Sequence, residues 1–214
     1  MYTGLLQRCY ASAYDLISRP AERAGLADQR HGLLSGATGV TIEIGAGTGL
    51  NLRHYQSDVT RLVLIEPDRH MNRQLSRRAA NVWPNARIIR ADADQLPFAA
   101  ASFDTAVVSF MLCCVPDQRR TLAEIARVLV PGGKLLFLEH VRSSDPRVAA
   151  KQDKMPFPYP QLGCHPNRDT LSQIQASGLT VQSVRRGEVP RAPEIERPMI
   201  IGSAVRSPAD RPAC

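Results

Sequence analysis

The chain has 214 residues, of which 43% are hydrophobic, and it carries a formal net charge of +7. This length allows one buried core but is too short for two domains of ordinary size, so we predict a single domain over residues 1–206. No run approaches the roughly 20 apolar residues of a membrane helix, and residues 1–10 lack the order of a secretion signal. We therefore expect a soluble, cytoplasmic protein.

The basic and cysteine residues do not form obvious binding motifs. Arginines outnumber lysines 24 to 3 and are scattered. The densest group includes Arg69, Arg73 and Arg77, whose four-residue spacing places them on one helix face. We interpret this face as solvated, the alternative being a docking surface for an anionic partner. The five cysteines are odd in number and lack CxxC spacing, so we expect reduced thiols and no metal site; they are Cys9, Cys113, Cys114, Cys164 and Cys214.

The first half of the chain alternates short strands with helices. Apolar periodicity over residues 10–34, with a restart at Pro20, predicts two short helices within residues 1–39. Apolar runs at 40–44, 62–65 and 86–89 predict three strands, and helical segments are predicted at 49–55 and 68–80. Short strands that alternate with helices indicate a parallel, buried sheet.

The second half continues this alternation and then becomes irregular. A strand is predicted over 103–109 and a helix over 117–130, with Asp117 as N-cap, followed by a strand over 134–141. Residues 142–166 contain five prolines and predict a cap loop. A helix over 167–177, strands at 179–186 and 199–205 and a frayed tail over 207–214 complete the chain. The expected fold is α/β, with a seven-stranded, mostly parallel sheet flanked by helices.

Ligands of open α/β sheets bind beyond the carboxyl ends of the strands, so we expect the binding residues to follow each strand directly. Residues 45–49, Gly-Ala-Gly-Thr-Gly, follow the first strand and are called the glycine loop here. Their spacing differs from the GxGxxG of dinucleotide-binding loops. Glu66 follows the second strand, where a carboxylate can accept hydrogen bonds from ribose hydroxyls. Asp92 follows the third and can accept from an adenine amino group, beside an apolar wall at 96–98.

These motifs, with residues 103–104 and the Leu-Val-Pro-Gly-Gly of 129–133, resemble the class I S-adenosylmethionine-dependent methyltransferases, which have a Rossmann-like fold. The resemblance spans residues 41–141, the cofactor-binding core, and implies S-adenosyl-L-methionine as cofactor. In that family the glycine loop lines the methionine part, and a residue at the position of Ser109 lies near it. The implied cofactor-binding residues are Glu43, Gly45, Ala46, Gly47, Gly49, Glu66, Pro67, Asp92, Ala93, Ser109 and Tyr14.

A narrower resemblance extends over most of the chain. Residues 49–55, 112–115, 139–141, 163–170 and 197–205 are similar to the branch that contains thiol S-methyltransferases and their bacterial relatives. The cap at 142–160 departs from that branch, and it is the region that would contact the methyl acceptor.

The candidate general bases are His140, at the end of the fifth strand, and His165, in the cap, each with a structural histidine as the alternative. The predicted function is methyl transfer to a small molecule, a thiol or an oxygen or nitrogen of a hydrophobic metabolite. Quinone methylation, phospholipid-headgroup methylation and a non-catalytic role are the alternatives. At most peripheral membrane contact is expected. Nucleic acid is not expected as a partner, because no RNA-binding module is appended and residues 109–112 lack an Asn-Pro-Pro-Tyr type motif.

Overall fold

A computed structural model describes residues 4–154 and 163–208, in which seven strands form one sheet. The strands are β1 Gly39–Ile44, β2 Val59–Ile65, β3 Arg87–Ile89, β4 Phe103–Ser109, β5 Leu129–His140, β6 Leu179–Glu188 and β7 Pro198–Arg206. Their order is β3-β2-β1-β4-β5-β7-β6, and the first five are parallel while β7 is antiparallel to both β5 and β6. The predicted α/β fold with a mostly parallel sheet is confirmed.

The strand order reverses between β1 and β4. The chain passes from β1 outward to β2 and β3, and then returns to pair β4 with the opposite edge of β1. Such a reversal opens a crevice at the carboxyl ends of the two central strands. The glycine loop leaves β1 at this point, and Ser109 ends β4 beside it.

Helices cover the sheet, and three of them begin at aspartate caps. They are α1 Gly4–Ala21, α2 Ala27–Leu34, α3 Arg69–Val82, α4 Gln118–Val128, α5 Pro146–Lys154 and α6 Thr170–Gln175. The side chains of Asp68, Asp117 and Asp169 accept hydrogen bonds from the first-turn N–H groups of α3, α4 and α6. The predicted N-cap at Asp117 is therefore confirmed. Buried residues of α4, among them Leu122 and Ile125, pack into the main core under the sheet.

Several predicted boundaries were wrong. Pro20 does not interrupt α1; the bend between α1 and α2 lies in the wider helical turn 22–26, where Gly25 has φ +116°. The predicted helix over 49–55 is only a short turn at Leu52–His54. Strand β5 starts at Leu129 and not at Lys134, because Leu129 already pairs with Phe103 of β4. Residues 131–133 then bulge out, and regular pairing with β4 resumes at Lys134. The cap contains α5, and residues 155–162 of the cap and 209–214 of the tail lie outside the described residues.

The four arginines of α3 differ in their exposure and contacts. Arg69, Arg73 and Arg77 are exposed, while Arg78 turns inward and forms an ion pair with Asp15 of α1. Among the described residues no helix is long and apolar enough to cross a membrane.

We predict that Gly202→Ala strongly destabilises the sheet. A Cβ atom at Gly202 of β7 would lie 2.1 Å from the carbonyl oxygen of Ser183 and 2.8 Å from Cζ of Phe137. Relieving this contact requires β6 to move, so we expect a loss of about 3 kcal/mol in the free energy of unfolding, the upper end for overpacking. Denaturant titration measures it. The control is Gly32→Ala in α2, where no atom lies within 4 Å and a gain of up to about 1 kcal/mol is expected. Equal stability of the two variants would contradict the prediction.

Candidate active site

The glycine loop turns sharply because two of its N–H groups bond to a neighbouring strand. The N–H groups of Gly45 and Ala46 both donate to the carbonyl oxygen of Ile65 at 2.9 Å. Gly45 has φ +72°, and a Cβ atom there would lie 2.7 Å from Cβ of Met111. Gly47 has φ +56°, yet a Cβ atom there would meet nothing within 4 Å. The backbone at Gly47 thus borders open space in which a ligand can approach it closely.

A cleft of about 270 Å³ lies at the carboxyl ends of β1 and β4. Five of the predicted cofactor residues line it, namely Tyr14, Gly45, Ala46, Gly47 and Ser109. Four lining residues were not predicted as site residues: Arg30, Thr48, Leu50 and Asn51.

Arg30 of α2 places a buried positive charge at this cleft. Its Nε forms an ion pair with Oε1 of Glu22 at 2.9 Å, and its Nη1 donates to Oδ1 of Asn51 at 2.8 Å and to Oγ of Ser109 at 2.9 Å. The residue is 4% exposed, and its guanidinium lies 5.5 Å from the ring centroid of Phe110. Among the described residues Nη2 has no hydrogen-bond partner. Arg30 can therefore still donate two N–H groups to an anionic ligand.

Glu43 lies in β1 behind the cleft and does not line it. Its carboxylate accepts hydrogen bonds from Nδ2 of Asn51 at 2.9 Å and from the hydroxyl of Tyr55 at 2.7 Å. Burial raises the pKa of Glu43 to about 7. Glu43 thus orients Asn51, which in turn bonds to Arg30.

Glu66, at the end of β2, braces the glycine loop. Its Oε2 accepts from the N–H of Gly47 and its Oε1 from the N–H of Asp68, both at 2.8 Å. Burial raises the pKa of Glu66. Each carboxylate oxygen retains acceptor capacity for a ligand hydroxyl. The neighbouring Pro67 is exposed, and Gly49 lies away from the cleft, where a Cβ atom would clash at 2.8 Å with Leu52 and with Leu75 of α3.

The segment after β3 carries Asp92, which is exposed, and Ala93, which packs against the core. An ion pair on α4 holds the apolar wall that follows. Oε2 of Glu124 accepts from the N–H of Leu96 at 2.8 Å, and Nη1 of Arg127 donates to the carbonyl of Phe98 at 2.7 Å. These bonds fix the wall beside Asp92 without any ligand.

Helix α1 is tied to the glycine loop by polar contacts. The hydroxyl of Thr48 donates to Oδ1 of Asp15 at 2.6 Å, and Arg78 forms an ion pair with Asp15. Nη1 of Arg78 also donates to the carbonyl of Thr48 at 2.7 Å. This network holds Tyr14, the neighbour of Asp15, at the cleft, and burial raises the pKa of Tyr14 to about 12.

The loop after β4 is shaped by a buried carboxylate of β5. Oε1 of Glu139 accepts from the N–H groups of Met111 and Leu112 at 3.0 and 3.1 Å. Its Oε2 is buried and has no partner among the described residues. Burial raises the pKa of Glu139 to about 8. Phe110 adopts φ +54°, a conformation that these bonds offset.

The two predicted bases lie near one group of cysteines. His140 is buried, its ring centroid is 4.5 Å from that of Phe110, and burial lowers its pKa to about 4. Burial also lowers the pKa of His165. The backbone N–H of His165 donates to the carbonyl of Cys113 at 2.9 Å. Hydrogen bonds from Cys113 and Cys164 lower the pKa of Cys114 well below its usual range. Both histidines are therefore weak bases at neutral pH, and their catalytic roles stay predictions.

Comparison with known proteins agrees with this arrangement. A family model described as a methyltransferase domain matches residues 42–137. The human thiol S-methyltransferase TMT1A is 28% identical over 171 residues, which cover 77% of this chain and 70% of the relative. The demethylmenaquinone methyltransferase of Renibacterium salmoninarum is 29% identical over 62% of each chain. The solved structure of an S-adenosylmethionine-dependent methyltransferase from Thermotoga maritima has a TM-score of 0.72 at 19% identity, covering 94% of this chain and 98% of that one, and shows the fold alone.

We predict that Glu139 makes the protein less stable in mild alkali. The pKa of Glu139 is raised from its ordinary value of 4.5 to about 8 in the folded chain. The contribution of this carboxyl to the free energy of unfolding is therefore fully present below pH 4.5 and is lost as the pH rises through about 8. Between pH 6.5 and 8.5 the parent should lose about 2 kcal/mol more unfolding free energy than Glu139→Gln. Denaturant titration at both pH values measures this difference.

The control is Glu124→Gln. Hydrogen bonding to Arg127 lowers the pKa of Glu124, so this carboxylate does not titrate in the same window. Glu124→Gln should keep the pH dependence of the parent, whatever its absolute stability. A parent and Glu139→Gln with the same slope would contradict the prediction.

Proposed function

We propose that this chain, whose residues 42–137 match a methyltransferase domain, is a class I S-adenosylmethionine-dependent methyltransferase and transfers the methyl group of S-adenosyl-L-methionine to a small thiol. The observation that carries the cofactor half of this proposal is the buried guanidinium of Arg30 beside the glycine loop. A cation with unused N–H donors, in a cleft bordered by open glycine backbone, suits the carboxylate of an amino acid.

The residues around the cleft fit the three parts of the cofactor. Arg30 and Ser109 would hold the amino-acid carboxylate, while the loop at Gly45, Ala46 and Gly47 lets the backbone approach the ligand. Glu66 would accept hydrogen bonds from the ribose hydroxyls, and Asp92 from the adenine amino group, with Ala93 beside the ring. Glu43 acts from behind by orienting Asn51.

When bound, the cofactor supplies a methyl group that is already electrophilic. The task of the chain is to hold the acceptor atom about 3 to 3.5 Å from that methyl group, in line with the bond that breaks, and to keep water out. The bonds from Thr48 and Arg78 to Asp15 keep α1 over the cleft, with Tyr14 in its lining. Thr48 and Arg78 are therefore positioning residues, which hold α1 and Tyr14 at the cleft.

The weak bases near the cleft support a thiol acceptor. A thiol has an unperturbed pKa near 8.5, so it ionises with little help, whereas an alcohol requires a strong base. His140 and His165 both have lowered pKa values, which suits an acceptor that needs little deprotonation. The similarity to a human thiol S-methyltransferase points in the same direction. A second candidate is methylation of a quinol carbon, favoured by the similarity to a demethylmenaquinone methyltransferase.

The assignment of Arg30 and Asp92 can be tested with two ligands that differ in one part. S-adenosylhomocysteine carries the amino-acid carboxylate, whereas 5′-methylthioadenosine carries only the nucleoside. We expect Arg30→Gln to weaken binding of S-adenosylhomocysteine by about 10- to 100-fold, the usual value of charge-assisted hydrogen bonds, and to leave 5′-methylthioadenosine unchanged. Asp92→Ala should weaken both. Calorimetric titration measures the affinities.

The control addresses the ion pair of Arg30. Replacing Arg30 alone leaves Glu22 buried without its partner, so the double variant Glu22→Gln/Arg30→Gln is measured in parallel. It should be folded and show the same ligand selectivity. Equal loss for both ligands in the Arg30 variants would argue against the carboxylate role.

The acceptor can be identified by transfer of a labelled methyl group to a panel of thiols, phenols, amines, a quinol and phospholipid vesicles. We expect thiols to be methylated, with a rate that rises with pH towards the pKa of the thiol. Asp92→Ala is the inactive control. Transfer to the quinol alone, or to phospholipid alone, would replace the thiol proposal. Cofactor binding without transfer to any acceptor would indicate a non-catalytic member.

A further inference from the structure

Three cysteines that are distant in the sequence meet beside the loop after β4. Sγ of Cys113 lies 3.6 Å from Sγ of Cys114 and 3.8 Å from Sγ of Cys164, and all three sulfurs lie within 4.8 Å of one another. We call Cys113, Cys114 and Cys164 the thiol cluster. Cys113 is buried, Cys164 is half-buried and Cys114 is exposed, so the cluster is open to solvent on one side.

The protein scaffold holds the two segments of the thiol cluster together. The N–H of His165, next to Cys164, donates to the carbonyl of Cys113 at 2.9 Å. Nη1 of Arg168 donates to the carbonyl of Leu112 at 2.9 Å and to that of Val115 at 2.6 Å, on either side of the two adjacent cysteines. The thiols are therefore brought together by backbone contacts that need no bound ion.

The sulfur separations match those around a single metal ion. Zn–S bonds of about 2.3 Å in tetrahedral geometry place two sulfurs about 3.8 Å apart. Two of the measured separations, 3.6 and 3.8 Å, are close to this value, and the third is at most 4.8 Å. Three thiolates around a divalent ion leave one negative charge, which the nearby guanidinium of Arg168 partly offsets. Sulfur ligands select thiophilic ions over Mg²⁺ or Ca²⁺.

We propose that Cys113, Cys114 and Cys164 bind one thiophilic divalent cation through their three sulfurs, with the fourth coordination position open to a ligand from solution. Zinc sites with three protein ligands keep such an open position, whereas structural sites fill all four. The exposure of Cys114 leaves that position accessible. The site is independent of the proposed methyl transfer, since none of the three thiols lines the cleft.

Zinc binding to the reduced, metal-stripped full chain tests the proposal. Competition with a chromophoric chelator should show one Zn²⁺ per chain, and Co²⁺ should give thiolate-to-metal charge-transfer absorbance. Cys114→Ser and Cys164→Ser should each weaken zinc binding by at least about 100-fold and lower that absorbance by about one third, as one of three sulfur ligands is lost. Adding a small thiol to the Co²⁺-loaded parent should raise the charge-transfer absorbance above its starting level, because a fourth sulfur then occupies the open coordination position.

The matched control is Cys9→Ser/Cys214→Ser, which removes the two other cysteines of the chain and keeps the thiol cluster. This variant should bind zinc like the parent and give the same Co²⁺ spectrum. Circular dichroism and melting temperature verify that each serine variant is folded. The proposal is overturned by the absence of stoichiometric zinc in the parent, by zinc binding in Cys114→Ser or Cys164→Ser that is as tight as in the parent, or by loss of binding in the control. A cobalt spectrum that does not respond to added thiol would overturn the open fourth position.

Discussion

The buried guanidinium of Arg30 is the interaction on which the arrangement of the cleft depends. It joins the helical turn at Glu22, the segment after the glycine loop at Asn51, and the end of β4 at Ser109. Removing one partner of a buried ion pair typically costs about 3–5 kcal/mol, because the other charge stays buried and uncompensated. The N-terminal helices are therefore held against the sheet by the same charge that lines the cleft.

A second buried polar group, the carboxyl of Glu139, organises the loop after β4. Glu139 binds the backbone of the loop after β4 and thereby sets the positions of Met111, against the glycine loop, and of Cys113 and Cys114 farther along. The pKa of Glu139 is raised because burial disfavours the charged form of its carboxyl group. The packing of Met111 against the glycine loop and the placement of Cys113 and Cys114 thus share one structural support.

The cofactor half of the site was more predictable from sequence than its surroundings. Gly45, Ala46, Gly47 and Ser109 lie at the ends of strands whose apolar runs are visible locally, and all four line the cleft. The helix expected over 49–55 did not form, because Asn51 and Tyr55 direct their side chains to Glu43, and Trp83 donates to the carbonyl of Leu52 at 3.0 Å. These tertiary hydrogen bonds form in place of helical backbone hydrogen bonds, and no local sequence pattern predicts them.

The sequence by itself determined the order of the seven strands along the chain, the mostly parallel sheet and the glycine loop, since each depends on periodicity and turn chemistry within a few residues. Only the tertiary structure decided that Arg30 reaches Ser109, 79 positions away, and that Cys113 meets Cys164, 51 positions away. Such contacts depend on how loops close over the sheet. Spacing along the chain therefore does not reveal them, and the cleft's buried charge and the thiol cluster became visible only in the fold.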